Sequence, residues 1–331
     1  MKRLYMCNTP YHLFSTLIKE IKLDNDVDIV LSDKTLGYEK LELALKKSNL
    51  VNNVFIIEES KFHLPKINPS YWGNITQNKK VREAVEPYID FDVRIYDDIY
   101  MYHDFTRFGC YIIASSIKYN LIEDGLDYFR VFDKFINIDL SLRRRILSFL
   151  NLNIFHYGQS RYCKSIEVNS IKDIRIPLKK VIEVPRKQLI SSLTNEEKKR
   201  IYDIFMGDKE VTTNNEENNK ILILTEPLFK DCRVSSEEEQ LRVYRDLIDT
   251  YNSEKYTVYI KPHPRDMLDY SKLNREHIII DRDFPVEILN FNENIKFNKA
   301  VAITSASIDG IKFVDNKIKV GFNYLESDKK D

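Results

Sequence analysis

Short apolar runs alternate with longer amphipathic stretches along the first half of the chain. Leu4–Cys7 reads as a strand, and the next segment places Leu13, Leu17 and Ile21 at helical spacing. Asp28–Leu31 and Val54–Ile57 are the next strands, with a helix over Glu39–Leu45 between them. After a polar, proline-bearing stretch, Ser60–Trp72, a helix over Lys79–Tyr88 leads into the β-rich run Val93–Tyr96. An apolar helix over Phe108–Ile117 then leads into the strand Tyr119–Ile122. Strands alternating with helices predict β-α-β units and a parallel sheet. Leu126–Leu150 reads as helical, and residues 153–184 as less regular with short β-rich pieces. A helix over Asn195–Met206 precedes Asp208–Asn219, an almost wholly polar run that reads as a linker. Ile221–Leu224 opens a second array, with a helix over Glu237–Tyr251 and strands at Tyr256–Ile260, Ile278–Ile280 and Ala300–Ile303. The expected architecture is α/β with two doubly wound, Rossmann-like domains. These are an N-terminal domain over 1–150, an irregular segment and linker over 151–219, and a C-terminal domain over 220–331. A single domain with a long surface loop is the alternative.

Composition narrows the chemistry. The chain has 331 residues, 51 Lys plus Arg and 51 Asp plus Glu, so its formal charge is zero. That lacks the basic excess of a nucleic-acid-binding domain. Only 8 glycines occur in the chain, where about 7% is usual, and neither G-x-G-x-x-G nor the Walker loop is present. Any phosphate site must therefore be built without the common glycine cradles. Four scattered cysteines with no C-x-x-C pair argue against structural zinc and against a disulfide framework. No apolar run approaches the roughly 18 residues of a membrane span. The chain is expected to be cytoplasmic.

In open parallel sheets ligands bind beyond the carboxyl ends of strands, so residues just after each predicted strand are the candidates. Tyr119–Ile122 runs into Glu123-Asp124-Gly125, where a carboxylate at a strand end could serve as general base and the glycine permits a sharp turn. Asp124 as a plain helix cap is the competing explanation. Tyr256–Ile260 runs into Lys261-Pro262-His263-Pro264-Arg265, in which two prolines hold an imidazole in an extended turn between cations. That setting suits binding or protonating a phosphate leaving group. Ala300–Ile303 runs into Thr304-Ser305-Ala306-Ser307, whose hydroxyls and amides could bind an anion at a helix start. Glu287, between these motifs, could hold ribose hydroxyls or simply begin a helix.

An acidic-acidic-glycine motif, a His-Pro motif and a downstream Ser/Thr pair, in that order, resemble bacterial sialyltransferases. With the opening Cys7-Asn8-Thr9-Pro10-Tyr11-His12-Leu13 and the Lys-Pro-His-Pro-Arg run, the chain looks most like glycosyltransferase family 52. The resemblance implies a GT-B fold, two Rossmann-like domains facing across a cleft, and a CMP-sialic acid donor with no metal or other cofactor. No D-x-D motif stands in a credible metal-binding context. By motif, Glu123 would be the general base, at a position where relatives often carry Asp, and His263 would assist departure of CMP. Asp124, Gly125, Thr9 and Pro10 would serve the acceptor side. Lys261, Pro264, Glu287, Thr304, Ser305 and Ser307 would bind the nucleotide, with the hydroxyl pair of the last motif left open. The partners implied are a sugar-nucleotide donor and a glycan acceptor, without nucleic acid. The resemblance leaves room for a homodimer and for peripheral association with the inner face of the membrane, where Arg143–Arg145 could dock. Another sugar nucleotide, a polyol-phosphate transfer of teichoic-acid type, and non-catalytic nucleotide or glycan binding are the alternatives.

Overall fold

The computed structural model of the chain describes residues 1–23, 26–64, 71–124, 146, 156–172, 174, 180–207, 211, 219–252, 256–273 and 275–327. The sequence expectations for Gly125, for the helix over Leu126–Leu150 with its arginines, and for most of the polar run Asp208–Asn219 lie outside these residues. The chain divides into two compact units, Met1–Glu197 and Lys198–Asp331.

The first unit is built on a seven-stranded sheet of order β3-β2-β1-β4-β5-β6-β7. Its strands are β1 (Lys2–Cys7), β2 (Asp26–Ser32), β3 (Asn53–Ile57), β4 (Asp98–Met101), β5 (Tyr119–Ile122), β6 (Cys163–Val168) and β7 (Val181–Glu183). Every pairing is parallel. Parallel strands are covered on both faces, which is why β1 and β2 are nearly continuous apolar runs. The helices are α1 (Pro10–Glu20), α2 (Tyr38–Ser48), α3 (Tyr71–Val85), α4 (Arg107–Ala114) and α5 (Arg186–Ser191). Leu4, Met6, Val30, Ile99, Met101, Phe108, Ile112 and Leu121 form one continuous core between sheet and helices.

Two expectations are corrected here. Val93–Tyr96 is not a strand: Val93–Ile95 forms a 3-10 turn closed by the Asp92 side chain, which accepts the Arg94 N–H, and the strand follows at Asp98–Met101. The segment 151–219 is not merely connecting, because β6 and β7 from it extend the first sheet. The division between units therefore falls in the first turn of α6 (Asn195–Met206), not at 150 and 219.

The second unit carries a five-stranded sheet of order β10-β9-β8-β11-β12, also parallel throughout. Its strands are β8 (Lys220–Leu224), β9 (Thr257–Lys261), β10 (Ile278–Ile279), β11 (Phe297–Ala302) and β12 (Val314–Lys319). Helix α7 (Glu237–Tyr251) starts at Ser236, whose side chain accepts the Glu239 N–H, and three glutamates in its first turn complement the helix dipole. It buries Val243, Tyr244, Leu247 and Ile248 against Ile221, Ile223, Val258 and Ile260. Short helices α8 (Ser307–Gly310) and α9 (Asn323–Ser327) complete the unit. Strand order reverses once in each sheet, between β1 and β4 and between β8 and β11. Ligand crevices open at such switch points.

Candidate active site

At the switch point of the first unit, the chain leaves β1 at Asn8 and enters α1, with Thr9 as N-cap accepting the His12 N–H at 3.2 Å and Pro10 at the first turn. These residues set the start of α1 and so place His12, which is fully buried. The His12 ring stacks on Tyr102 at 4.1 Å, and its Nδ1 accepts the Asn8 N–H at 3.1 Å. A backbone N–H can only donate, so Nδ1 carries the lone pair and Nε2 carries the hydrogen. That Nε2 faces Asp124 Oδ1 at 3.1 Å, while His103 Nε2 lies 3.0 Å from Asp124 Oδ2. Burial lowers the His12 pKa against the raising effect of Asp124. Burial alone would raise the Asp124 carboxyl, but the charge and hydrogen bonds of the two imidazoles outweigh it. They hold that carboxyl well below the ordinary carboxylate range.

His103 owes its place to the next residue. Asp104 is completely buried and accepts from Tyr119 Oη at 2.7 Å, Tyr157 N at 2.7 Å and Gly158 N at 2.8 Å. Gly109 lies so close beneath that a Cβ there would sit 2.6 Å from the Asp104 carbonyl oxygen.

Glu123 and Asp124 face different surroundings. Glu123 is 3% exposed, its N–H extends the ladder to Glu167, and its Oε2 accepts the Asn169 N–H at 2.7 Å. Arg186, at the start of α5, donates to the Glu123 carbonyl. The Asp124 side chain is 30% exposed and is the carboxylate of the pair with access to solvent.

In the second unit, Thr225 and Glu226 follow β8, His263 and Pro264 follow β9, and Thr304, Ser305 and Ser307 follow β11. Lys261 is the last residue of β9, 4% exposed, with Nζ 4.4 Å over the Phe284 ring. The His263 turn is anchored from below by Asp266. That buried carboxylate accepts from Thr225 Oγ1 and Tyr270 Oη, each at 2.6 Å, and from Gln240 Nε2 at 3.1 Å. His263 Nδ1 accepts the Arg265 N–H at 3.0 Å, which again leaves Nε2 with the hydrogen. Arg265 itself is held by both oxygens of Asp231 at 3.0 and 3.1 Å.

Thr304 is committed to a partner that sequence reasoning missed. Its N–H and hydroxyl both donate to Glu226, the hydroxyl at 2.8 Å and the N–H at 3.0 Å. Burial raises the Glu226 carboxyl above its ordinary value despite these bonds. Ser305 and Ser307 face each other at 2.7 Å between hydroxyls, and α8 behind them spans only four residues. Glu287 lies in the 3-10 turn Val286–Phe291, with a Gly310 Cβ position 3.6 Å from its Cγ. The structure thus gathers Glu226, His263 and Thr304 around the carboxyl ends of β8, β9 and β11.

Among the described residues, His12, His103 and Asp124 form one group with donor atoms close enough for a metal, all within 4.8 Å. The donor set does not suit one. Metal binding at His12 Nε2 would move its hydrogen to Nδ1, where the Asn8 N–H already points.

Two doubly wound parallel sheets, each with chemistry-bearing side chains at its switch point, define the GT-B class of fold. The chain belongs to glycosyltransferase family 52, whose sequence profile matches residues 63–321. The GT-B domain of a sialyltransferase from Photobacterium damselae superposes with a TM-score of 0.55 at 12% identity, over 95% of this chain and 90% of that one. An α/β-galactoside α-2,3-sialyltransferase from Photobacterium phosphoreum gives 0.52 at 15% identity, over 96% and 90% of the two chains. At these identities the likeness establishes the fold. An uncharacterised protein of Haemophilus influenzae is 33% identical over 86 residues, which span 26% of this chain and only 27% of that protein. No helix among the described residues is long and apolar enough to cross a membrane.

Proposed function

We propose that the protein is an inverting, metal-independent sialyltransferase. It moves sialic acid from CMP-sialic acid to a hydroxyl of a galactoside-type acceptor in bacterial surface glycan synthesis, from the cytoplasmic side of the membrane. The observation that carries this reading is the Asp124 carboxylate, partly open to solvent and held between two imidazoles in a chain of family 52. The sialyltransferase fold neighbours support it.

The acceptor hydroxyl binds at Asp124 and attacks the anomeric carbon of sialic acid while the bond from that carbon to the phosphate oxygen breaks. The hydroxyl proton passes to Asp124, and the electron pair of the broken bond leaves with CMP. A carboxylate held low stays ionised at neutral pH and is ready to accept. Its weakness as a base matters little if the hydroxyl proton departs late, as the new bond forms at an oxocarbenium-like centre. We assign the base to Asp124, not to Glu123, because Glu123 is buried and already accepts a backbone N–H. In the second unit the His263 Nε2–H meets charge growing on the phosphate. The pinned tautomer of His12 supports independence from metal.

The test is transfer from CMP-sialic acid to a lactoside, followed by mass spectrometry, with and without EDTA. Sialyl-lactoside formed equally in both is expected. No product, with turnover instead of a UDP-sugar, or activity restored only by Mn²⁺, overturns the reading.

A further inference from the structure

We propose that Glu226 sets the number of phosphates the second unit accepts: its carboxylate, lodged between β8 and β11, admits one phosphate and repels a second. This deepens the donor assignment above and rests on it for the identity of the nucleoside.

The switch point between β8 and β11 is where a parallel sheet of this order receives a phosphate. The first donors that the turn after β11 offers there are the N–H and hydroxyl of Thr304. Both are taken by Glu226, at 3.0 Å and 2.8 Å. Glu226 has little freedom to leave. Its backbone is bracketed by α7: Tyr244 Oη contacts both its N–H and its carbonyl, and Gln240 Nε2 donates to the carbonyl at 3.2 Å. Tyr244 is fully buried and Gln240 is 2% exposed, so this bracket is part of the core.

The local charge balance points the same way. Arg265 is neutralised by Asp231, Lys319 is bridged to Asp309 at 2.7 Å, and Lys261 is buried over Phe284. A diphosphate needs a clamp of cations to offset its charge, and here these three are engaged while a fixed anion sits at the crevice. A phosphodiester brings one charge and can use His263 Nε2–H and the Ser305–Ser307 hydroxyl pair. A second phosphate group would lie against a carboxylate, a like-charge juxtaposition.

The experiment is calorimetric titration of the full chain with CMP, CDP, UMP and UDP, in wild type, Glu226→Gln and Glu226→Asp. Glu226→Gln keeps the size and the acceptor oxygen for Thr304 while removing the charge. In wild type the monophosphate of each pair should bind about tenfold or more tighter than the diphosphate. In Glu226→Gln the ratio should fall to about threefold or less, through tighter diphosphate binding, and Glu226→Asp should keep discrimination. An unchanged ratio in Glu226→Gln, or a wild type that prefers diphosphates, overturns the proposal. Preference for uridine over cytidine nucleotides would instead overturn the donor assignment, while the ratio of mono- to diphosphate still reads Glu226. A Glu226→Gln chain that does not fold leaves the Glu226→Asp ratio as the measurement, and lost discrimination there overturns the proposal.

Discussion

Asp124 in the first unit and Glu226 in the second are both carboxylates just past strand ends, and their surroundings push them in opposite directions. Burial raises both. Asp124 faces two imidazoles, whose charge and hydrogen bonds overcome that penalty, whereas Glu226 faces the neutral amide and hydroxyl of Thr304, which do not. The histidines differ in parallel. Both His12 and His263 have Nδ1 pinned by a backbone N–H and so present Nε2–H, but His12 is sealed in the core with a carboxylate in front of it. His263 sits half-buried on a proline-bounded turn. On the proposed reading, one fold pattern used twice yields a proton acceptor in one unit and a recogniser of anions in the other. The partner of the carboxylate decides which.

The comparison breaks most readily at Asp124. Asp124→Asn keeps shape and loses basicity, and it should lower kcat by about 10²–10⁴-fold with CMP affinity unchanged. Glu123→Gln should cost less than about tenfold in kcat, with any loss appearing as stability, because it perturbs a buried hydrogen bond. If the two rate effects were exchanged, Glu123 would be the base. His263→Ala should lower kcat by about 10²-fold, the scale of one lost oxyanion donor, and should weaken CMP binding as well. Steady-state kinetics with calorimetry separates these outcomes.

Gly109→Ala sharpens the contrast between units. A Cβ 2.6 Å from the Asp104 carbonyl forces the turn carrying His103 to shift. Overpacking of that kind costs about 1–3 kcal/mol, visible in thermal unfolding. Activity should fall while CMP binding, which the proposal assigns to the second unit, stays the same. Loss of CMP affinity in this variant would contradict that separation.

The smallest effects are in the pH dependence of stability, and they carry opposite signs. Asp124 is depressed in the folded state, so its contribution is present above its ordinary value of about 3.9 and is lost as pH falls through its folded value. Glu226 is raised, so the folded state loses stability as pH climbs from about 4.3, the ordinary glutamate value, through the elevated one. In melting curves collected against pH, Asp124→Asn should remove an acid-side loss. Glu226→Gln should gain on wild type as pH rises toward neutrality. Parallel curves for both variants would remove the basis of the comparison.

The sequence carried the strands that are buried on both faces, because a parallel core strand needs an unbroken apolar run. Leu4–Cys7 and Ile221–Leu224 are of this kind. It hid β12, since Asp315, Asn316, Lys317 and Lys319 all point to solvent and leave no run to read. It also misplaced β4, whose four residues begin with Asp98, next to the apolar Val93–Tyr96. Of the candidate site, the strand-end rule pointed to His263 and to the Glu123-Asp124 pair, with Glu123 expected as the base and Asp124 in a lesser role. His12 was concealed because a buried histidine within an amphipathic helix looks like one more core position. His103 and Glu226 stood just past β4 and β8, where the same rule applied, but neither lies in a motif. Which of two adjacent carboxylates turns outward is set by Asn169 and Arg186, more than forty residues downstream, and adjacency in sequence does not encode it.

The concealed strand β12 has a consequence for how the chain survives its own synthesis. Parallel sheets close long loops before their strands are rewarded, so they fold slowly and leave unpaired backbone exposed meanwhile. The second sheet ends on one side in a strand of only two residues, Ile278–Ile279, and on the other in β12 with its lysines and aspartate. A short edge and a charged edge are both poor templates for strand addition by another chain. The polar face that made β12 unreadable is thus a guard against aggregation, and replacing Lys317 with Val should turn that edge into a seed for it.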